Sequence, residues 1–160
     1  MPIVLVRVDD RLIHGQVVEA WLPSTGAEEL LVANDAVAED PLQRMIVQSA
    51  APGTVRITID TVDRIAVMLQ PETNGGTRRM VLVNNPRDAL RLKLAGVPFD
   101  SLNLGNLTTD GHCVCVSRSV YLGEDSIRVL CRIVEAGVRV SIQGVPFEKP
   151  IEMTEYFGNV

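Results

Sequence analysis

The chain has 160 residues, of which 46% are hydrophobic and 22% charged, values that suit one ordinary globular domain. A formal net charge of −5 argues against a general nucleic-acid binder, which needs clustered Lys and Arg to displace counterions from phosphates. No apolar run reaches the roughly 20 residues that cross a bilayer, and Cys113, Cys115 and Cys131 do not resemble a secreted disulfide framework, so a cytoplasmic chain with reduced thiols is expected.

Residues 3–8 are apolar but interrupted by Arg7, and they read as a first strand, not a signal peptide. A helix starts at 16–21 and is limited by Pro23. Residues 30–33 form a second strand and 41–50 a helix, with Pro41 in the first turn, where its missing amide costs nothing. Residues 55–59 read as a strand, and 61–69 as a helix with Asp60 as N-cap. The Asn74-Gly75-Gly76 triplet marks a turn. Beyond it come a buried strand at 80–83, a helix at 86–95 closed by Gly96, and short strands at 102–104 and 114–116. A helix at 126–136 ended by Gly137 and a strand at 138–142 complete the pattern. This alternation predicts an α/β fold spanning 1–160 as a single domain: an open, doubly wound, mainly parallel sheet with helices on both faces. Ligand chemistry in such sheets collects beyond the carboxyl ends of the strands, here the loops at 9–15, 34–40, 84–85 and 105–110.

The first of these loops carries Asp9, Asp10, Arg11, His14 and Gly15. A neutral imidazole is a good nucleophile near pH 7 and can form a phosphoramidate. Phosphoryl transfer spreads negative charge over the equatorial oxygens, and cations and backbone amides stabilise it. Arg11 supplies a cation, while the helix opening at Gly15-Gln16 supplies free N–H groups. Gly15 removes a Cβ from the approach. Either Asp9 or Asp10 can hold one imidazole nitrogen so that the other attacks. The same residues also allow a plainer arrangement, an exposed His beside a surface ion pair worth a fraction of a kcal/mol.

The string Asp9-Asp10-Arg11-Leu12-Ile13-His14-Gly15-Gln16-Val17-Val18 closely resembles the active-site segment of the IIB components of the mannose/fructose/sorbose family of bacterial sugar phosphotransferase systems. The resemblance continues through Asn34-Asp35, Asn84-Asn85-Pro86-Arg87-Asp88-Ala89, Leu102-Asn103-Leu104-Gly105-Asn106, Ser117-Arg118-Ser119-Val120-Tyr121-Leu122 and Val145-Pro146. It implies that His14 is phosphorylated through Nδ1 by a phosphorylated IIA partner. The group would then pass to a sugar held by the membrane IIC and IID components, so the chain would act at the inner face of the membrane. Arg11 would stabilise the group in transit and Asp10 would position the loop. One departure stands out: the stretch after Asn106 is glycine-rich and basic in the family, whereas 107–112 here contains Asp110 and no Lys or Arg. A different output, a regulatory or anion- or partner-binding module on the same fold, therefore stays open, as does a homo-oligomer.

Asn34 and Asp35 end the second strand, read as lying beside the first, and are candidates to line the same crevice or simply to begin the next turn. Asn106 and Arg118 are candidates for phosphoryl or partner contacts. His112-Cys113-Val114-Cys115 lacks the second ligand pair that zinc sites use, so no metal is expected and buried thiols are the default. With no nucleotide-binding glycine loop and no cofactor expected, a phosphoryl carrier must be charged by another phosphorylated molecule.

Overall fold

Runs of β-branched and aliphatic residues form the strands, and segments with apolar positions three and four apart form the helices between them. The protein is seen as a computed structural model describing residues 3–73, 75–109 and 111–158. Asn74 of the expected turn and Asp110 of the expected 105–110 loop lie outside the described residues. The strands are β1 (Ile3–Asp9), β2 (Glu29–Ala33), β3 (Arg56–Asp60), β4 (Arg79–Val83), β5 (Ser101–Asn106), β6 (Cys113–Cys115), β7 (Tyr121–Gly123), β8 (Arg139–Ile142) and β9 (Ile151–Glu152). Among the described residues, seven of them make one sheet in the order β3-β2-β4-β1-β5-β8-β9, parallel except for the last pair.

The helices are α1 (a π-helical stretch Gln16–Trp21 continuing as an α-helical turn Leu22–Thr25), α2 (Asp35–Glu39), α3 (Pro41–Ser49), α4 (Val62–Met68), α5 (Pro86–Leu94), α6 (Glu124–Glu135) and α7 (Thr154–Gly158). Val17, Trp21 and Leu22 of α1, together with Val37 of α2 and Val47 of α3, cover one face of the sheet over Leu30, Val32, Met80 and Leu82. Residues of α4, α5, α6 and α7 cover the other face over Val6, Val8, Val81 and Val83. The expected doubly wound architecture is therefore what forms. Its consequence for the site is direct. The chain leaving β1 turns to one face, while the chains leaving the flanking strands β4 and β5 turn to the other, so a crevice opens at the carboxyl end of β1.

Several local expectations need correction. The helix after β1 runs past Pro23, because that proline stands in the first turn of the α-helical part, where no amide is required. The N-cap of α4 is Thr61, whose Oγ1 accepts from the Arg64 N–H; Asp60 instead accepts from the Thr61 N–H. The strand expected at 114–116 is β6, which pairs antiparallel with β7 in a hairpin apart from the main sheet. All three residues of that strand are exposed, so Cys113 and Cys115 are not the buried thiols expected, while Cys131 is buried in α6 as expected. The strand β2 does not lie beside β1, because β4 runs between them.

Candidate active site

At the carboxyl end of β1 the register with β5 slips by one residue: Val8 faces Leu104 but Asp9 faces Asn106, leaving Gly105 as an extra residue. The chain then turns, with the Leu12 N–H donating to the Asp9 carbonyl at 2.9 Å. Leu12 is forced to φ 56°, a left-handed conformation that costs a branched residue about 1–2 kcal/mol. Burial of Leu12 and Ile13, each 5% exposed, offsets this, since an apolar side chain of that size gains about 1.5–3 kcal/mol on leaving water. The two apolar residues thus pin the loop, and His14 is carried to the start of α1, where the Val18 N–H bonds to its carbonyl at 3.0 Å.

Asp9, not Asp10, holds the imidazole. Oδ2 of Asp9 lies 2.7 Å from Nε2 of His14. The same oxygen accepts from Nδ2 of Asn106 at 3.0 Å and from Nε of Arg7 at 3.1 Å, while Oδ1 accepts from the Arg11 N–H at 3.0 Å. An ionised carboxylate only accepts, so Nε2 of His14 carries a proton, and in the neutral ring Nδ1 keeps its lone pair. Nδ1 is shielded from solvent and has no hydrogen-bond partner among the described residues. Burial pushes the Asp9 carboxyl up, but the His14 hydrogen bond, the Arg7 charge and the Asn106 hydrogen bond together hold it below the usual carboxylate range.

That depression makes a prediction about acid stability. A carboxyl lowered on folding contributes stability that is fully present above its unfolded value, about pH 4, and is lost as pH falls through the lower folded value. The wild-type protein should therefore lose stability as acid is added below about pH 4, and Asp9→Asn should flatten that limb in acid titrations followed by circular dichroism.

The other residues singled out in the sequence divide. The Asp10 carboxylate accepts from the Thr108 N–H and Oγ1, both at 2.8 Å, and the Asp10 N–H donates to the Asn106 carbonyl at 2.9 Å. Asp10 thus ties the His14 loop to the segment after β5, the one that lacks basic residues. Gln16 accepts from Asn106 at 3.1 Å, which places Asn106 between α1 and Asp9. Arg11 is exposed, and its guanidinium has no partner among the described residues. Gly15 has ordinary helical backbone, and a Cβ there would meet nothing within 4 Å. Arg118 is exposed and lines a cleft of ≈ 310 Å³ with Gln16, Ser117, Ser119, Gln143 and Lys149.

Asn34 and Asp35 are not brought to this crevice. Asn34 caps α2 through the Val37 N–H at 2.9 Å, and Asp35 accepts from the Val62 N–H at 2.9 Å and from Arg91 at 2.8 Å. Asn34 thus starts its own helix, and Asp35 ties α2 to α4 and α5.

Sequence reasoning missed Arg7. It is fully buried, and its guanidinium bonds to Asp9, to Oδ1 of Asn103 at 2.6 Å, and to the carbonyls of Gln143 at 2.9 Å and Gly144 at 3.2 Å. Its Cζ lies 5.2 Å from the centre of the Trp21 ring. A lone cation inside an otherwise apolar strand was the available signal, because a buried charge requires a dedicated partner.

Residues 3–160 match the family described as the PTS system sorbose subfamily IIB component. The chain is 29% identical over 160 residues to the PTS system fructose-specific EIIB component of Bacillus subtilis, covering 100% of this chain and 98% of that one. It is 30% identical to the PTS system mannose-specific EIIAB component of Escherichia coli, covering 100% of this chain but only 50% of that longer protein. The crystal structure of the IIB domain of the sorbose permease from Klebsiella pneumoniae superposes with a TM-score of 0.88 at 25% identity, covering 100% of this chain and 98% of the other.

Proposed function

The chain belongs to the sorbose subfamily of IIB components of the sugar phosphotransferase system, and from that premise we propose that His14 is its phosphoryl-carrying residue and Nδ1 the atom that bears the group. The observation that carries this reading is the division of labour on the imidazole: Nε2 is committed to Asp9 and Nδ1 is left with a free lone pair. IIB components work with IIA and with membrane IIC/IID partners, and the mannose relative's printed name joins A and B in one protein.

In the first step the Nδ1 lone pair attacks phosphorus on the phosphorylated IIA. The new P–N bond forms as the bond from phosphorus to the donor side chain breaks, and that electron pair stays with the donor. In the second step a sugar hydroxyl presented by the membrane partner attacks the same phosphorus. The P–N bond returns its pair to Nδ1, and the hydroxyl proton is released. The overall activity is a protein phosphohistidine–sugar phosphotransferase, run by one IIB domain at the inner membrane face. Asp9 supports the positive charge that builds on the ring, the free N–H groups at the start of α1 face the phosphoryl oxygens, and Arg11 supplies the mobile cation. The open space in front of Gly15 suits close approach of a partner. Donor access requires displacing the side chains that shield Nδ1. Arg118, exposed on the lining of the neighbouring cleft, offers a cation to a partner.

The test follows the group onward. Chain charged by IIA and then mixed with membranes containing IIC and IID should lose its phosphoryl group to sugar; retention of the group in the presence of transportable sugars would instead favour a regulatory output. Arg11→Ala should slow acceptance from IIA by about 10²-fold, the scale of losing one transition-state donor. Because that side chain is exposed and unpaired, its thermal stability should stay within about 0.5 kcal/mol of wild type. A wild-type transfer rate in that variant removes Arg11 from the mechanism.

A further inference from the structure

The geometry points to Arg7 as a positioning residue that fixes which nitrogen of His14 carries the proton, acting through Asp9. This deepens the phosphocarrier reading, and it rests on that reading for its effect on transfer alone.

The guanidinium is held from every side. Asn103 and the Gln143 carbonyl take its Nη1, the Gly144 carbonyl takes Nη2, and Nε reaches Oδ2 of Asp9, the oxygen that also receives Nε2 of His14. The Trp21 ring lies beside it and is itself fixed by its Nε1–H donating to the Gly144 carbonyl at 2.8 Å. Gly105 closes the cage: a Cβ at that position would stand 1.9 Å from Cζ of Arg7, so the bulge glycine is what leaves room for the fork. The cation therefore has no alternative place to go, and the carboxylate it grips has none either.

This matters to the imidazole because Asp9 must remain an acceptor. A buried carboxyl whose cation is missing, or is no longer held against it, takes up a proton. It can then donate to Nε2, and the ring proton moves to Nδ1, blocking the nucleophile. A clamp on Asp9 thus keeps Nδ1 unprotonated from two bonds away. Lysine cannot substitute, because an ammonium lacks the planar fork that serves four acceptors at once and the flat face that lies against the indole.

Long-range ¹H–¹⁵N NMR on the full chain reads the protonated nitrogen of His14 directly, with His112→Gln used to assign the second histidine. Wild type is expected to show protonated Nε2. Arg7→Lys is expected to show a mixed population with protonated Nδ1, and acceptance from IIA slowed by about 10–100-fold, the scale on which metal-ligating histidines respond to loss of the group that orients them. A folded Arg7→Lys with the wild-type tautomer and rate overturns the proposal. If thermal melts show that Arg7→Lys does not fold, Asn103→Ala decides, since it keeps the charge but cuts the 2.6 Å bond that locks the fork. A mixed tautomer there supports the proposal, and a purely wild-type tautomer overturns it. The tautomer is read without any phosphate, so a wild type that shows protonated Nε2 yet accepts no group from IIA would end the phosphocarrier reading and leave the role of Arg7 standing.

Discussion

His14→Ala should abolish phosphoryl acceptance while leaving a folded protein. Among the described residues, the other nitrogens around the crevice are amides, guanidinium groups and the Lys149 ammonium of the neighbouring cleft, which is protonated near pH 7, and His112 belongs to the segment before the β6–β7 hairpin. Folding survives because the loop is pinned by buried Leu12 and Ile13, not by the imidazole. Asp9 loses one charge-assisted hydrogen bond, a cost of about 1.5–3 kcal/mol, and keeps Arg7, Asn106 and the Arg11 N–H. Peptide mapping of the phosphorylated wild type should place the group on the fragment containing His14, and the variant should yield no labelled fragment. Label on another fragment of the wild type would move the chemistry elsewhere.

Asp9→Asn should be the most damaging change to a residue that never touches phosphorus. All four groups facing the carboxylate are donors, three at Oδ2 and one at Oδ1. An amide NH₂ must therefore face a donor whichever way it is turned. Turned toward Oδ2 it meets the guanidinium and lets Nε2 become the acceptor, which puts the ring proton on Nδ1. Turned toward Oδ1 it breaks the bond that shapes the Arg11 turn. The wrong-tautomer form of a carboxylate-oriented histidine lowers rates by on the order of 10⁴-fold in serine protease triads, and a loss of 10²–10⁴-fold in acceptance from IIA is expected here. Arg7 is left as a buried charge without its counter-ion, so a stability loss of about 3–5 kcal/mol should appear in denaturant unfolding. Near-normal transfer by this variant would show that Asp9 does not orient the ring.

Both expectations rest on residues of unequal visibility. His14, Arg11 and the two aspartates fall within positions 9–14, where an apolar strand gives way to a helix, so chemistry and fold position could both be read from the string. Choosing between Asp9 and Asp10 could not. Neighbouring residues at a strand end point in different directions, and the bulge at Gly105 decides which carboxylate faces α1. Asn34 and Asp35 were misplaced for a related reason: consecutive strands need not be adjacent, and insertion of β4 between β1 and β2 carries the second loop away from the crevice. The exposure of Cys113 and Cys115 is not legible in the sequence, because periodicity cannot tell a strand within the main sheet from one in a separate hairpin. Arg7, Asn103, Gly105, Trp21 and Gly144 meet only through tertiary folding, across 137 positions from first to last. In contrast, Pro41 and Pro86 at first helical turns, and Gly96 and Gly137 with φ of 90° and 88° after α5 and α6, express local sterics and were legible directly.

Intact mass reads out directly whether this chain carries a phosphoryl group on His14. Wild type and His14→Ala would each be incubated with phosphoenolpyruvate, enzyme I, HPr and IIA, then measured before and after mild acid. Wild type should gain a single phosphoryl group that acid removes, and the variant should gain none. An unmodified wild type alongside a demonstrably phosphorylated IIA, or an equal gain in both proteins, would contradict a carrier role for His14.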